Sequence, residues 1–201
     1  MAFFMFYKEG KMKNLSVRNI VLAGFFLAVG IVLPFFTMQI PSIGNMLLPM
    51  HIPVLICGFV CGWPLGLIVG FILPLLRSML FTMPPMYPTA LAMAFELAAY
   101  AFVSGYLYEN SKWQCVKALY KCLCVSMIIG RIVWGIAQIL LLGISGTAFT
   151  FQAFITGALL NAVPGIALQL MLIPAVMAAL NRAKVVPFKH EIKQTAGSMA
   201  N

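Results

Sequence analysis

Between Asn19 and Leu180 the chain is a succession of long apolar runs, punctuated by proline, glycine and a few lysines. Crossing a bilayer as a helix takes roughly 20 such residues, and most of the runs approach or exceed that length. They are too continuous for membrane β-strands, which alternate polar and apolar positions over about 10 residues. Composition removes the remaining option, a water-soluble domain. Hydrophobic residues make up 63% of the chain and charged residues 8%, against about 25% charged in soluble domains. The sequence therefore predicts an all-α integral membrane protein with no internal repeat.

Six spans are expected, over about 19–38, 47–62, 65–82, 88–108, 116–143 and 150–180. The breaks between them are Gly62-Trp63-Pro64, Pro84-Pro85 with Pro88, and the stretch from Gly143 to Gly146. Proline fixes φ and glycine permits positive φ, so both mark turns. The second span is short and contains Pro53, and the sixth contains Pro164 and Pro174, where kinks are expected.

Positive charge orients this bundle. Lys8, Lys11, Lys13 and Arg18 precede the first span, Lys112, Lys117 and Lys121 lie between the fourth and fifth, and Arg182, Lys184, Lys189 and Lys193 follow the sixth. The segments 39–46, 83–87 and 144–149 carry no charge. Basic loops stay cytoplasmic, so both termini are expected inside and the uncharged loops outside. The transmembrane unit is then 19–181, flanked by a cytoplasmic extension over 1–18 and a tail over 182–201. Met12 is an alternative natural start. The net charge of +9 is accounted for by topology and by attraction to anionic lipid, without nucleic acid.

The five cysteines, Cys57, Cys61, Cys115, Cys122 and Cys124, fall near the cytoplasmic ends of their spans. That side is reducing, which disfavours disulfides. None has the spacing of a zinc site, and the expectation is small buried hydrophobes without metal or cofactor.

The polar residues inside the apolar runs carry the functional argument. Glu96 is expected about 12 Å below the outer end of its helix, and Arg131 about 18 Å below its own, at 1.5 Å per residue. Arg77 lies about one turn in. Each such charge costs about 2.5–3.5 kcal/mol at a helix centre on insertion scales, so these residues face the bundle interior and find partners. Glu96 with Arg131 is the expected pair, with Arg77 as the other possible cation. Arg131, Trp134 and Gln138 fall on one helical face, as do Thr89, Met93, Glu96 and Tyr100. Asn161 and Gly165 share a face of the sixth span, with Gln169 one turn further in. Phe81, Met83, Met86, Tyr87, Phe149 and Phe151 are placed to cover a cavity. Apolar walls with a few convergent polar groups describe a small-molecule site.

Plainer readings stand beside this one. Glu96 and Arg131 can be a structural ion pair, and Trp134 and Tyr100 packing residues. Asn161 and Gln138 can be hydrogen-bonding links between helices, and Arg77 can snorkel to the headgroups. His51 reads as an interfacial residue rather than a ligand. No HExxH, GxSxG or phosphate-binding loop occurs, so an enzyme or an autonomous ATPase finds no support in motifs. A stand-alone transporter or channel, or an intramembrane enzyme, is the alternative class.

Three segments carry a family resemblance: KMKNLSVRNIVLAGFFLAVGIVLPF, LPMHIPVLICGFVCGWPLGLIVGFILPLLRSMLF and MPPMYPTALAMAFELAAYAFVSGYLY. From Asn14 to about Val186 the chain resembles the S component of an energy-coupling factor (ECF) vitamin transporter, in the group that includes binders of riboflavin, pantothenate and hydroxymethylpyrimidine or pyridoxine. The resemblance implies a six-helix prokaryotic plasma-membrane protein that binds a vitamin from outside. It also implies docking on a transmembrane T component with two ATPase subunits, toppling in the membrane to release the ligand inward. Helices four to six would line the pocket. On this chain that selects Glu96, Tyr100, Arg131, Trp134, Gln138 and Asn161, with Arg77 nearby. A spare cation suits a carboxylate such as pantothenate, whereas full neutralisation of Arg131 by Glu96 suits riboflavin or a pyridoxine-like ring. The family's AxxxA contact with the T component would map to Ala23, Gly24 and Ala28, although the strict pattern is broken by Leu27.

Overall fold

The computed structural model describes residues 16–37, 48–111, 114–144, 163–184 and 186, and every element among them is helical. The expected loop over 39–46 and, apart from Ile144, that over 144–149 lie outside the described residues, as do the first part of the expected sixth span over 150–162 with Phe151 and Asn161, and Met12, Lys8, Lys11, Lys13, Lys112, Lys189 and Lys193.

Helix α1 is Val17–Val32 and runs on into a 3₁₀ turn, Leu33–Thr37. Helix α2 is His51–Cys61, α3 is Trp63–Phe81, α4 is Leu91–Glu109, α5 is Val116–Ile144 and α6 is Val163–Arg182. A single residue, Gly62, joins α2 to α3 with φ of 91°, a left-handed backbone that favours glycine. Pro53 falls in the first turn of α2, where no backbone N–H is required of it. Pro174 lies within a continuous α6.

Five segments are long and apolar enough to cross a membrane: Val17–Phe36, Trp63–Phe81, Met86–Glu109, Val116–Gly143 and Val163–Arg182. The expected second span differs. Its apolar run starts at Leu47, but Leu48 adopts a left-handed φ of 48° and Pro49 follows, so the helix opens only at His51 and has 11 residues. That is about 17 Å of helix, well short of the roughly 30 Å hydrocarbon core. Its shortness is tolerated because it does not face lipid: every residue of α2 except Val60 is buried.

Close contacts fix the register. Gly70 lies against Leu97, Gly66 against Ala101 and Gly105 against Trp63, so α3 and α4 are antiparallel. Gly58 touches Ala101 and Ser104, while His51 meets Glu96 and Tyr100, so α2 runs parallel to α4. Gly30 lies on Leu73 and Phe35 on Phe81, so α1 runs parallel to α3. Tyr108 lies near Cys115 and Cys122 while Tyr100 lies on Gly130, so α5 is antiparallel to α4. Small residues at these crossings let backbones approach, the usual source of helix association in lipid. A Cβ at Gly58 would stand 2.8 Å from the Ala101 carbonyl oxygen.

Two consequences bear on the site. One end of the bundle gathers the ends of α1 and α3, the starts of α2 and α4 and the late part of α5. Arg18, Lys117 and Lys121 lie at the other end. Outward faces are apolar: Val17, Val21, Ile128, Leu140 and Met171 are all exposed. A water-soluble bundle would carry polar residues there.

Candidate functional site

Polar side chains from α2, α4 and α5 converge in this apolar interior. Glu96, in the second turn of α4, is 1% exposed. Arg131 of α5 brings Nη1 to 3.0 Å from Glu96 Oε1. The approach is ionic rather than a directed hydrogen bond: Glu96 Oε1 and the Nε and Nη2 of Arg131 have no hydrogen-bond partner among the described residues. Tyr100, one turn further along α4, is buried, and its hydroxyl interacts with both Glu96 and Arg131. Gly130 makes this possible. A Cβ there would fall 2.9 Å from the Tyr100 ring, so only a bare backbone lets Tyr100 lie against α5 and keeps Arg131 level with Glu96.

A fourth residue joins them. His51, the first residue of α2, is 1% exposed and stands with Nε2 3.6 Å from Glu96 Oε1. Its ring meets Tyr100 edge-on at 5.2 Å. The expectation of an interfacial histidine is thus overturned. The cause is the late start of α2, which brings its first turn into the interior. The sequence signal was available, a lone imidazole in MHIPVL, but the predicted span placed it near water.

The other expected residues are distributed as follows. Gln138 is buried on α5 and Trp134 is half-buried between it and Arg131. Asn161 lies outside the described residues. Gln169 of α6 is 1% exposed, and its Nε2 has no partner among the described residues. Arg77 does not reach Glu96. Its Nη1 donates to the Ile31 carbonyl of α1, and its guanidinium lies beside the edge-on pair Phe35 and Phe81, 5.2 Å and 5.6 Å from their centroids. It is buried rather than snorkelled, and it satisfies a carbonyl that the end of α1 leaves open. Above the centre, the Tyr87 hydroxyl donates to the Leu141 carbonyl, tying the α3–α4 connection to the end of α5. Met83, Met86 and Tyr87 are exposed there.

All five cysteines are free, with Cys57, Cys61 and Cys122 buried, and no group of metal-binding side chains occurs among the described residues. On α1, Ala23 is buried against the bundle, whereas Gly24 and Ala28 face outward and nothing lies within 4 Å of a Cβ built at Gly24.

Fold and site together define a polytopic helical membrane protein with an ionic, polar centre enclosed in its apolar core. A family model for the substrate-specific component of ECF transporters matches residues 18–177, which includes α1 from its second residue, all of α2 to α5 and most of α6. The chain belongs to that family. It is therefore a substrate-specific membrane subunit of an ECF transporter, a transport rather than an enzyme class. No curated protein and no solved structure matches it.

Proposed function

We propose that this subunit binds a small water-soluble vitamin or vitamin precursor from outside the cell at the Glu96–Arg131 centre. It then delivers the ligand inward with a T component and two ATPase subunits. In this reading α2 completes a set of six membrane segments with both termini cytoplasmic. The placement of Arg18, Lys117 and Lys121 opposite the polar centre supports that orientation under the positive-inside rule. The shortness of α2 supports the depth: it covers about half the hydrocarbon thickness, so the buried His51 at its first turn lies within the apolar layer.

One observation carries the choice of ligand. Arg131 offers Nη1 to Glu96 and keeps Nε and Nη2 unpartnered among the described residues. Those two nitrogens form one edge of the planar fork, the edge that takes a carboxylate with two parallel hydrogen bonds. The ligand is accordingly an acid such as pantothenate, held by Arg131, with Tyr100, Trp134, Gln138 and Asn161 completing the lining and Arg77 bracing the rim. Gly24 and Ala28, backed by Ala23, form the face that meets the T component.

Native mass spectrometry of the purified protein tests this directly, since a retained molecule gives its mass. Titration with pantothenate, riboflavin and pyridoxine follows. Arg131→Ala is expected to weaken binding of the acid by about a hundredfold, the scale of a lost charged hydrogen-bond pair. Because that substitution leaves a buried carboxylate without its cation, the double variant E96Q/R131A serves as the folding control. Unchanged affinity in both variants refutes the assignment, and preference for riboflavin or pyridoxine refutes the carboxylate.

A further inference from the structure

We infer that His51 is a further substrate-binding residue, taking a hydroxyl or N–H group of the ligand whose acidic group is held by Arg131; this rests on the reading of the centre given above. Nearly every buried polar group in a folded protein has a hydrogen-bond partner, and an exception calls for an explanation. His51 is such an exception twice over. Its side chain is 1% exposed, yet neither Nδ1 nor Nε2 has a hydrogen-bond partner among the described residues. Glu96 Oε1 is 3.6 Å from Nε2, beyond direct hydrogen-bond reach.

A purely packing role does not need an imidazole. The edge-on contact with Tyr100 is equally available to phenylalanine, which carries no desolvated nitrogen. Glu96 already has a cation without His51, since Arg131 stands closer, at 3.0 Å. What the imidazole adds beside a carboxylate is a donor and an acceptor on one rigid ring. Glu96 Oε1 and the His51 ring therefore offer acceptors in the same buried centre where Nε and Nη2 of Arg131 offer donors, all of them without a hydrogen-bond partner among the described residues. A ligand with an acidic group and a hydrogen-bond donor a few atoms away matches both.

Two substitutions separate this role from packing. His51→Phe keeps the ring on Tyr100 and removes both nitrogens; affinity for the bound member of the set pantothenate, riboflavin and pyridoxine is expected to fall about tenfold or more, the scale of one hydrogen bond left unmade in a buried site. His51→Gln restores a donor and an acceptor and is expected to recover binding to within about threefold of the unsubstituted protein, a step of well under one decade. In the unsubstituted protein labelled with ¹⁵N-histidine, the ring-nitrogen resonances of His51 shift on ligand addition. Full affinity in H51F, or resonances that do not move, overturns the inference even if R131A loses binding. If R131A also binds normally, or the protein binds none of the three vitamins, the reading of the centre fails with it.

Discussion

The side chains that matter most are those whose chemistry is at odds with their surroundings. Glu96 and Arg131 could be paired from the sequence because a charge in a helical run of alanine, leucine and phenylalanine has few ways to be tolerated. Facing residues on adjacent antiparallel helices is the simplest of them. His51 escapes the same logic because hydropathy places it only in the outer part of the second span, and the helix begins later than the apolar run. Gly130 was illegible for a different reason. A glycine within a membrane helix is common, and only the Tyr100 ring 2.9 Å from its would-be Cβ gives it a role. Gly130→Ala is accordingly expected to push Tyr100 away from α5, with strain of about 1–3 kcal/mol. Ligand affinity should fall by about tenfold or more, while helix content by circular dichroism stays unchanged. Unaltered affinity would show that Tyr100 has room to adjust.

At the scale of helices, the first, third, fourth and fifth segments are readable to within a few residues, since about twenty apolar residues in a row leave little choice; the sixth agrees at its end, and its expected start at 150 lies outside the described residues. The second is not readable, because hydropathy does not register where a backbone turns. Leu47, Leu48, Pro49 and Met50 are as apolar as the helix they precede. The crossings of α2, α3 and α4 depend on glycine in a way that is open to test. A Cβ at Gly70 would lie 2.6 Å from the Leu97 carbonyl oxygen and 2.7 Å from its carbon. These are backbone atoms, so α3 and α4 must part. Gly70→Ala is expected to destabilise the bundle by about 1–3 kcal/mol and to lower its melting temperature in detergent by several degrees. Gly143→Ala, at a glycine with open space around it, is the matched control and should melt no lower. Equal melting of the two variants would mean that the crossing is slack.

For the molecule as a whole, hydropathy established membership of the membrane but not which helices lie at the centre. That is decided by side-chain size. Helices α2 and α4, with Gly58, Ala94, Ala101, Ser104 and Gly105, fill the middle, and bulkier faces turn to lipid. Helix α1 breaks this pattern, since Gly24 and Ala28 leave a notch on its outer side. Such a notch contributes little to the isolated subunit, so Gly24→Leu should leave ligand binding and melting unchanged. If Gly24 and Ala28 meet the T component as proposed, the substitution should abolish co-purification with that component and substrate uptake by cells. Retained complex formation would place the docking surface elsewhere.

The eleven-residue α2 also constrains how the chain is made. A segment of that length cannot hold itself across oil during synthesis, because its ends would drag unpaired backbone into the hydrocarbon. It has to enter with α3 as one hairpin, hinged at Gly62, and it acquires a settled depth only once α4 and α5 close around it. The acid, the guanidinium and the imidazole meet at that last step, so under the proposed assignment of the site a nascent subunit has no substrate affinity until its insertion is complete.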